Sequence, residues 1–182
     1  MPLDEVGLCQ AERAAALLVR DGSITRLVTS PARRAAQTAT VLKGAFDLAG
    51  RPLVRSQDER LVEIDMGEWA GLTHADVAAR WPEDSAAVAR GEDVRRGVVG
   101  ETLAEATARV EGAVRDVART LAAGESALVV THGAVIRGVA GVMAGLSPIA
   151  VRTALTSVGN CRWVTLVERQ GSWAVERWNA GE

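Results

Sequence analysis

The chain of 182 residues is 48% hydrophobic and 24% charged, which is typical of one globular domain with a sizeable core. Its 21 basic and 23 acidic residues nearly cancel, which argues against a nucleic-acid-binding surface. No apolar run approaches the ~20 residues that span a bilayer, and the N-terminal MPLDEVG has neither the basic nor the apolar region of a signal peptide. We therefore expect a single soluble domain over residues 1–182, with neither nucleic acid nor a membrane as its partner.

Helices and strands alternate in the first part of the chain. Gln10–Arg20 is rich in alanine and leucine, which predicts a helix, and Ile24–Thr29 is an apolar run of strand length. A second helix is predicted over Ala32–Leu48, with Ser30 as its N-cap and Pro31 in its first turn. This helix begins directly where the strand ends.

The middle of the chain is richer in turns. Short extended segments are predicted at Leu53–Arg55 and Leu61–Ile64, and the turn-rich GEWAGLT follows them. A short helix is predicted over Ala75–Trp81, where Pro82 ends it. The polar segment after Pro82 is predicted to be a loop.

The alternation resumes in the last part of the chain. From Leu103 to Gly124 apolar residues recur with a helical period, and Ala127–Val130 is predicted to be a fully buried strand, followed by a small-residue turn and an apolar helix. Residues 161–178 predict a hairpin around Gln170-Gly171 at the edge of the sheet. The order of the elements predicts an α/β fold.

The two cysteines indicate neither a disulfide framework nor a metal site. Cys9 and Cys161 lie far apart in the sequence and have no histidine near them. We therefore expect the reducing cytoplasm as the location and no metal as a cofactor. Assembly as a homodimer is compatible with these features.

Charged side chains stand at two of the strand-to-helix junctions. In an open α/β sheet such junctions lie beyond the carboxyl ends of the strands, where helix N-termini offer free N–H groups to a ligand. Arg33 and Arg34 fall in an opening helical turn, where a cation is unfavourable unless an anion lies between it and the helix dipole. His132 follows a buried strand, and Gly133 lets the backbone approach a ligand closely. Together these residues predict an anion-binding pocket.

A carboxyl group near that pocket would act as a general acid. Like-charge repulsion from a bound anion favours the protonated carboxyl, which can then donate its proton to a leaving group. Glu63 is our candidate, although Asp65 and Glu68 are close enough in sequence to take its role. Ordinary interpretations also stay open: a buried histidine with satisfied hydrogen bonds at His132, arginines on a solvated helix face, and a surface carboxylate at Glu63.

Four segments in succession resemble signatures of one family. SPARRAAQTA, LVEIDMGEWAGLT, GETLAEATARV and VVTHGAVIRG are similar, in order and approximate spacing, to those of the histidine phosphatase superfamily. The opening MPLDEVGLCQAE resembles the start of that family's first helix. The resemblance covers essentially the whole chain. It implies a phosphoglycerate mutase-like, three-layer α/β fold, with a mostly parallel sheet flanked by helices.

The resemblance also implies a phosphate site for a small phosphorylated metabolite. Arg34 and His132 would hold the transferred phosphoryl group, Gly133 would bring the backbone close to it, and Glu63 would protonate the leaving oxygen. The planar fork of Arg34 matches phosphate oxygens. The family is metal-independent, because positive side chains do the charge neutralisation that a metal ion does elsewhere, so no cofactor is implied. The WAGLT and GET segments resemble the small-molecule phosphatases more than the glycolytic mutases.

The family's nucleophile is missing from the sequence. It is a histidine in an Arg-His-Gly motif on the first strand, and the 182 residues contain no such motif. The only other histidine, His74, is predicted at the start of an exposed helix, and we do not assign it this role. Because the family's first strand is central in the sheet, we expect a fold that lacks a central strand and leaves backbone groups unpaired on both sides.

Two explanations of this departure stay open. Either the natural chain starts earlier, or the protein is a degenerate homologue that binds a phosphate ester without turning it over. Retention of Arg34, Glu63 and His132 favours the first. The predicted functions are therefore a phosphomonoesterase that is impaired because it lacks the nucleophilic histidine, a non-catalytic phosphate-ester-binding protein, or a mutase-type phosphotransferase if the natural N-terminus is longer.

A further group of arginines stands in a segment that helps to cover the site in the family. Arg90, Arg95 and Arg96 could contact a second acidic group of the substrate. A solvated loop is the alternative interpretation of the same segment.

Overall fold

A parallel sheet of three strands organises the fold in a computed structural model, which describes residues 1–181 apart from the side chain of Ile149. The strands are β1 (Ile24–Thr29), β2 (Val54–Gln57) and β3 (Ser126–Val130), in the spatial order β2-β1-β3. Leu27 in β1 lies opposite Arg55 in β2 and Leu128 in β3. The prediction of an α/β fold with a parallel sheet is confirmed.

Helices cover both faces of this sheet. Within the described residues they are α1 (Glu5–Leu18), α2 (Arg33–Leu48), α3 (His74–Arg80), α4 (Pro82–Arg90), α5 (Leu103–Arg119), α6 (Gly133–Met143) and α7 (Pro148–Ala154). Successive residues of β1 point to opposite faces. Leu27 packs with Phe46 of α2 on one face, and Val28 packs with Val110 of α5 and Val135 of α6 on the other. None of these helices is long and apolar enough to cross a bilayer.

The predicted hairpin forms, but its predicted position at the sheet's edge is wrong. β4 (Trp163–Arg169) and β5 (Ser172–Ala180) pair with each other in antiparallel fashion and make a separate sheet. The turn between them has φ values of 54° at Gln170 and 80° at Gly171, the conformation that suits a two-residue hairpin loop. Leu166 and Trp173 of the hairpin pack against the apolar cluster between the three-stranded sheet and α6.

A groove separates β3 from the hairpin. Its volume is about 570 Å³, and its walls include Leu128–Val130 of β3, Trp163 of β4 and the face of α1 that carries Gln10 and Leu18. Every residue of β3 is only partly buried, so the prediction of a fully buried strand there is wrong. The physical reason is that one edge of β3 pairs with β1 while its other edge faces the groove.

Two predicted boundaries in the first part of the chain need correction. The first helix begins at Glu5 rather than Gln10, because the carboxylate of Asp4 caps it by accepting a hydrogen bond from the Gly7 N–H. The second helix begins at Arg33, and its N-cap position is Ala32 rather than Ser30.

Two predicted elements in the middle of the chain are also wrong. Leu61–Ile64 is not a strand, because a 3-10 turn over Glu59–Leu61, capped by Asp58, precedes an irregular loop. The polar segment after Pro82 is helix α4. Proline lacks an N–H, and the first turn of a helix does not need one, so Pro82 starts this helix instead of only ending the one before it.

Candidate active site

Arg34 and His132 meet at the carboxyl ends of β1 and β3. Because these strands are parallel neighbours, Thr29 and Val130 end side by side, and the chain continues from them into α2 and α6. Arg34 lies in the first turn of α2, and His132 is the N-cap residue of α6. Nη2 of Arg34 lies 2.9 Å from Nδ1 of His132. Two residues that are 98 positions apart in sequence therefore share one site.

The His132 ring is buried, and its tautomer follows from its partners. A guanidinium can only donate, so Nδ1 accepts from Arg34, and Nε2 carries the proton and donates to Oγ of Ser30 at 3.0 Å. Burial, reinforced by the charges of Arg34 and Arg109, lowers the pKa of His132 to about 4. His132 is therefore neutral at pH 7. Ser30, which is fully buried, binds this ring and also accepts a hydrogen bond from the N–H of Ala32 just ahead of α2, but it does not reach the first turn of that helix.

The two helices that begin here leave their N-termini open. No side chain accepts a hydrogen bond from the N–H groups in the first turn of α2 or α6. The side chains of Thr73, Thr102 and Ser147 do accept such a bond at the starts of α3, α5 and α7. Free N–H groups and the positive dipole ends of both helices therefore lie next to the Arg34 guanidinium. This arrangement is favourable for a bound anion.

Of the three candidate carboxylates, Glu63 is the one that lines this cavity; Asp4, which also lines it, is the N-cap residue of α1. Glu63 lines the groove together with Arg34, His132 and Gly133, and its Oε1 accepts a hydrogen bond from the following backbone N–H at 3.0 Å. The two alternatives are bound elsewhere. Asp65 accepts from the Gly67 N–H and Glu68 accepts from the Val98 N–H, and neither lines the cavity. The structure thus shows which of the three carboxylates lines the cavity, which their spacing in the sequence could not do.

The segment 158–162 closes the cavity from the side of the hairpin, and the sequence analysis missed it. The carbonyl of Val158 lies 3.5 Å from where a Cβ on Gly133 would be, so this segment passes close to the start of α6. Cys161 has a φ of 53°, and burial raises the pKa of its thiol. Arg162 also lines the cavity and donates to the carbonyl of Gly181. The Gly-Asn pair in this segment marks a loop but gave no signal of the cavity.

The three arginines predicted to cover the site lie outside the cavity lining. Arg90 pairs with Glu92, and Arg95 pairs with Glu105. Arg96 lies over the ring of Trp69, with its guanidinium carbon 5.8 Å from the ring centroid. The structure does not bring this group together with Arg34 and His132.

The second histidine is also distant from the site. His74 is the first residue of α3, is exposed, and does not line the cavity. Among the described residues, His132 is the histidine that faces the anion site. No group of three or more His, Cys, Asp or Glu side chains within residues 1–181 is placed to hold a metal ion.

The whole chain is similar to one family of proteins. A model of the histidine phosphatase superfamily (branch 1) matches residues 1–181. A glucosyl-3-phosphoglycerate phosphatase of Mycolicibacterium vanbaalenii is 29% identical over 198 aligned positions, which cover 98% of this chain and 83% of that protein. A 2,3-bisphosphoglycerate-dependent phosphoglycerate mutase of Azorhizobium caulinodans is 32% identical over 148 positions, 80% of this chain and 71% of the mutase.

A solved structure extends this similarity to the fold. The complex of mycobacterial glucosyl-3-phosphoglycerate phosphatase with inorganic phosphate superposes with a TM-score of 0.85 at 29% identity. The superposition covers 99% of this chain and 88% of the phosphatase.

Proposed function

This chain belongs to the histidine phosphatase superfamily, and we propose that it is a phosphomonoesterase whose cavity takes the phosphoryl group of a small phosphorylated metabolite. The observation that carries this proposal is the contact between Arg34 and His132, set between two uncapped helix N-termini. The similarity to phosphatases over nearly the full chain supports it.

Each side chain of the site has a role in binding or proton transfer. Arg34 and the free N–H groups of α6 bind phosphoryl oxygens, and the guanidinium neutralises charge that builds up on them. When the anion is present, Nε2–H of His132 exchanges Oγ of Ser30 for a phosphoryl oxygen. Glu63 protonates the oxygen of the leaving alcohol. No metal ion is needed in this scheme, because the cationic side chains stabilise the charge.

A second function, phosphate-ester binding without turnover, is favoured by one specific observation. Both ring nitrogens of His132 are engaged, one by Arg34 and one by Ser30, and His74 lies outside the cavity. The described residues therefore offer no imidazole placed to attack a bound phosphorus atom. A mutase-type phosphotransferase would need the same nucleophile, so the site favours this function no more than phosphatase activity.

Inorganic phosphate or vanadate should stabilise the folded protein, and Arg34→Ala should remove most of that effect. A ligand at 100 times its Kd adds about 2.7 kcal/mol, which raises the Tm of a chain of this size by about 5–10 °C. Thermal unfolding at increasing phosphate concentration measures the effect. Arg33→Ala is the matched control, because Arg33 is the neighbouring cation in the same helical turn but does not line the cavity. An equal shift in wild type and Arg34→Ala would refute the pocket.

Glu63→Gln should slow the hydrolysis of esters with poor leaving groups by about 10²-fold or more, and that of activated aryl phosphates far less. Activated leaving groups need little help from a proton donor. The measurement requires an active form, obtained by fusing a strand that ends in Arg-His-Gly ahead of Met1. Asp65→Asn is the control, because Asp65 lies near Glu63 but outside the cavity lining. If both ester types slow equally, Glu63 has another role.

A further inference from the structure

Two of the sequence signatures, LVEIDMGEWAGLT and GETLAEATARV, are packed against each other in the structure. A Cβ on Gly100 would lie 2.5 Å from the Asp65 carbonyl oxygen and 2.7 Å from the Gly67 nitrogen, so only glycine allows this approach. Glu101 binds the backbone of Asp65 twice: its N–H donates to the Asp65 carbonyl at 2.9 Å, and its Oε2 accepts from the Asp65 N–H at 3.0 Å. The loop that carries Glu63 is therefore held at residue 65.

Arg109 of α5 binds the same loop on the other side of Glu63. Its Nη1 donates to the carbonyls of Arg60 at 2.6 Å and Val62 at 3.1 Å, and its Nη2 donates to that of Glu63 at 3.4 Å. Nε and Nη2 also donate to the two carboxylate oxygens of Glu101, at 2.9 and 2.7 Å. One planar guanidinium thus joins three carbonyls and a carboxylate, which the single nitrogen of a lysine could not do.

The loop is also attached to the anion site. Oγ1 of Thr131 donates to the carbonyl of Leu61 at 2.7 Å, and Thr131 directly precedes His132. Residues 60–65 form no strand pairing that would fix them otherwise. Core packing of Leu61 and Ile64 anchors the loop, and these side-chain hydrogen bonds fix where the Glu63 backbone lies relative to His132.

We infer that Arg109, assisted by Glu101, is a positioning residue that holds Glu63 beside the bound phosphoryl group. This inference rests on the proposed function, since Glu63 is the proton donor only there. Arg109 does not line the cavity, so it acts through the loop and not by contact with the substrate. Arg109 forms an ion pair with Glu101, which balances its positive charge. The side chains of the two residues are 22% and 24% exposed.

The experiment follows Glu63 directly by the carbon-13 resonance of its carboxyl group, assigned by its loss in Glu63→Gln. In the wild-type chain, saturating inorganic phosphate should move this resonance. In Arg109→Lys and Glu101→Gln the movement should be lost, while the Kd for phosphate stays within about threefold. Arg115→Lys is the matched control, because Arg115 lies on the same helix but makes its ion pair with Glu111 of that helix.

Each outcome decides a different question. If phosphate fails to bind the wild type, the proposed function itself is refuted. If phosphate binds but leaves the Glu63 resonance unmoved, or if both variants keep the movement, the positioning role is wrong. If the folded variants lose phosphate binding together with the movement, Arg109 supports the whole anion site and not Glu63 in particular. Glu101→Gln removes the carboxylate that orients the Arg109 guanidinium and accepts from the Asp65 N–H, but it keeps the Arg109 side chain, so it provides a folded variant if Arg109→Lys unfolds.

Discussion

Fusing a strand that ends in Arg-His-Gly ahead of Met1 is expected to raise phosphate-ester turnover by about 10³-fold or more. The groove beside β3 has room for an extended segment, Met1 and Leu3 are among its lining residues, and the N–H of Leu3 donates to Oε1 of Gln37, one turn after Arg34 in α2. A strand placed there in parallel with β3 ends at the edge of the sheet where β3 ends. The motif histidine then arrives beside Arg34, where it can attack a bound phosphorus atom.

The same fusion is expected to raise the Tm by about 5 °C or more, because it covers the half-exposed side of β3 and pairs its free backbone groups. Steady-state assays on a panel of small phosphate esters and alkaline quenching, which preserves phosphohistidine, measure the activity, and thermal unfolding measures the stability. A fusion with alanine in place of the motif histidine separates the effects. It should keep the gain in Tm and lose the turnover, and equal turnover in both fusions would contradict the prediction.

The elements that local sequence determines were the ones predicted well. β1 has the predicted bounds, Ile24–Thr29, and α5 begins at the predicted Leu103, where Thr102 and Glu105 form a capping box. Non-local contacts decided the rest. The partial burial of β3 and the separation of the hairpin from the sheet depend on what lies beside each strand, which apolar periodicity does not report.

In the candidate site, too, some features could be predicted from the local sequence and others depend on long-range contacts. Arg34 and His132 could be predicted because each stands at a junction between a strand and a helix, and parallel strands bring such junctions together. The hydrogen bond between His132 and Ser30 and the contacts of Arg109 join residues that are far apart in sequence. No spacing rule encodes these contacts. The contacts of His132 decide which of its nitrogens carries the proton, and those of Arg109 are the basis of its proposed role in positioning Glu63.

The 182-residue chain itself is expected to show negligible phosphomonoesterase turnover. A phosphohistidine intermediate needs an imidazole in line with the bound phosphorus atom. His132 is held by Arg34 and Ser30, and His74 lies on exposed α3, away from the cavity. Arg34 and the helix N-termini still stabilise charge, and sites stripped of their nucleophile keep about 10³–10⁴-fold acceleration over water, far below a working enzyme.

A side-by-side assay of the 182-residue chain, its His74→Ala variant and the fused form tests this expectation on one panel of esters. The first two should give equal and barely measurable rates, with no alkali-stable phosphohistidine trapped on quenching. His74→Ala is a mild change, because the side chain is exposed and the cap of α3 is provided by Thr73 and Asp76. Loss of activity in that variant would therefore not reflect unfolding. Robust turnover by the 182-residue chain, abolished by His74→Ala, would make His74 the nucleophile and require α3 to approach the cavity during the reaction.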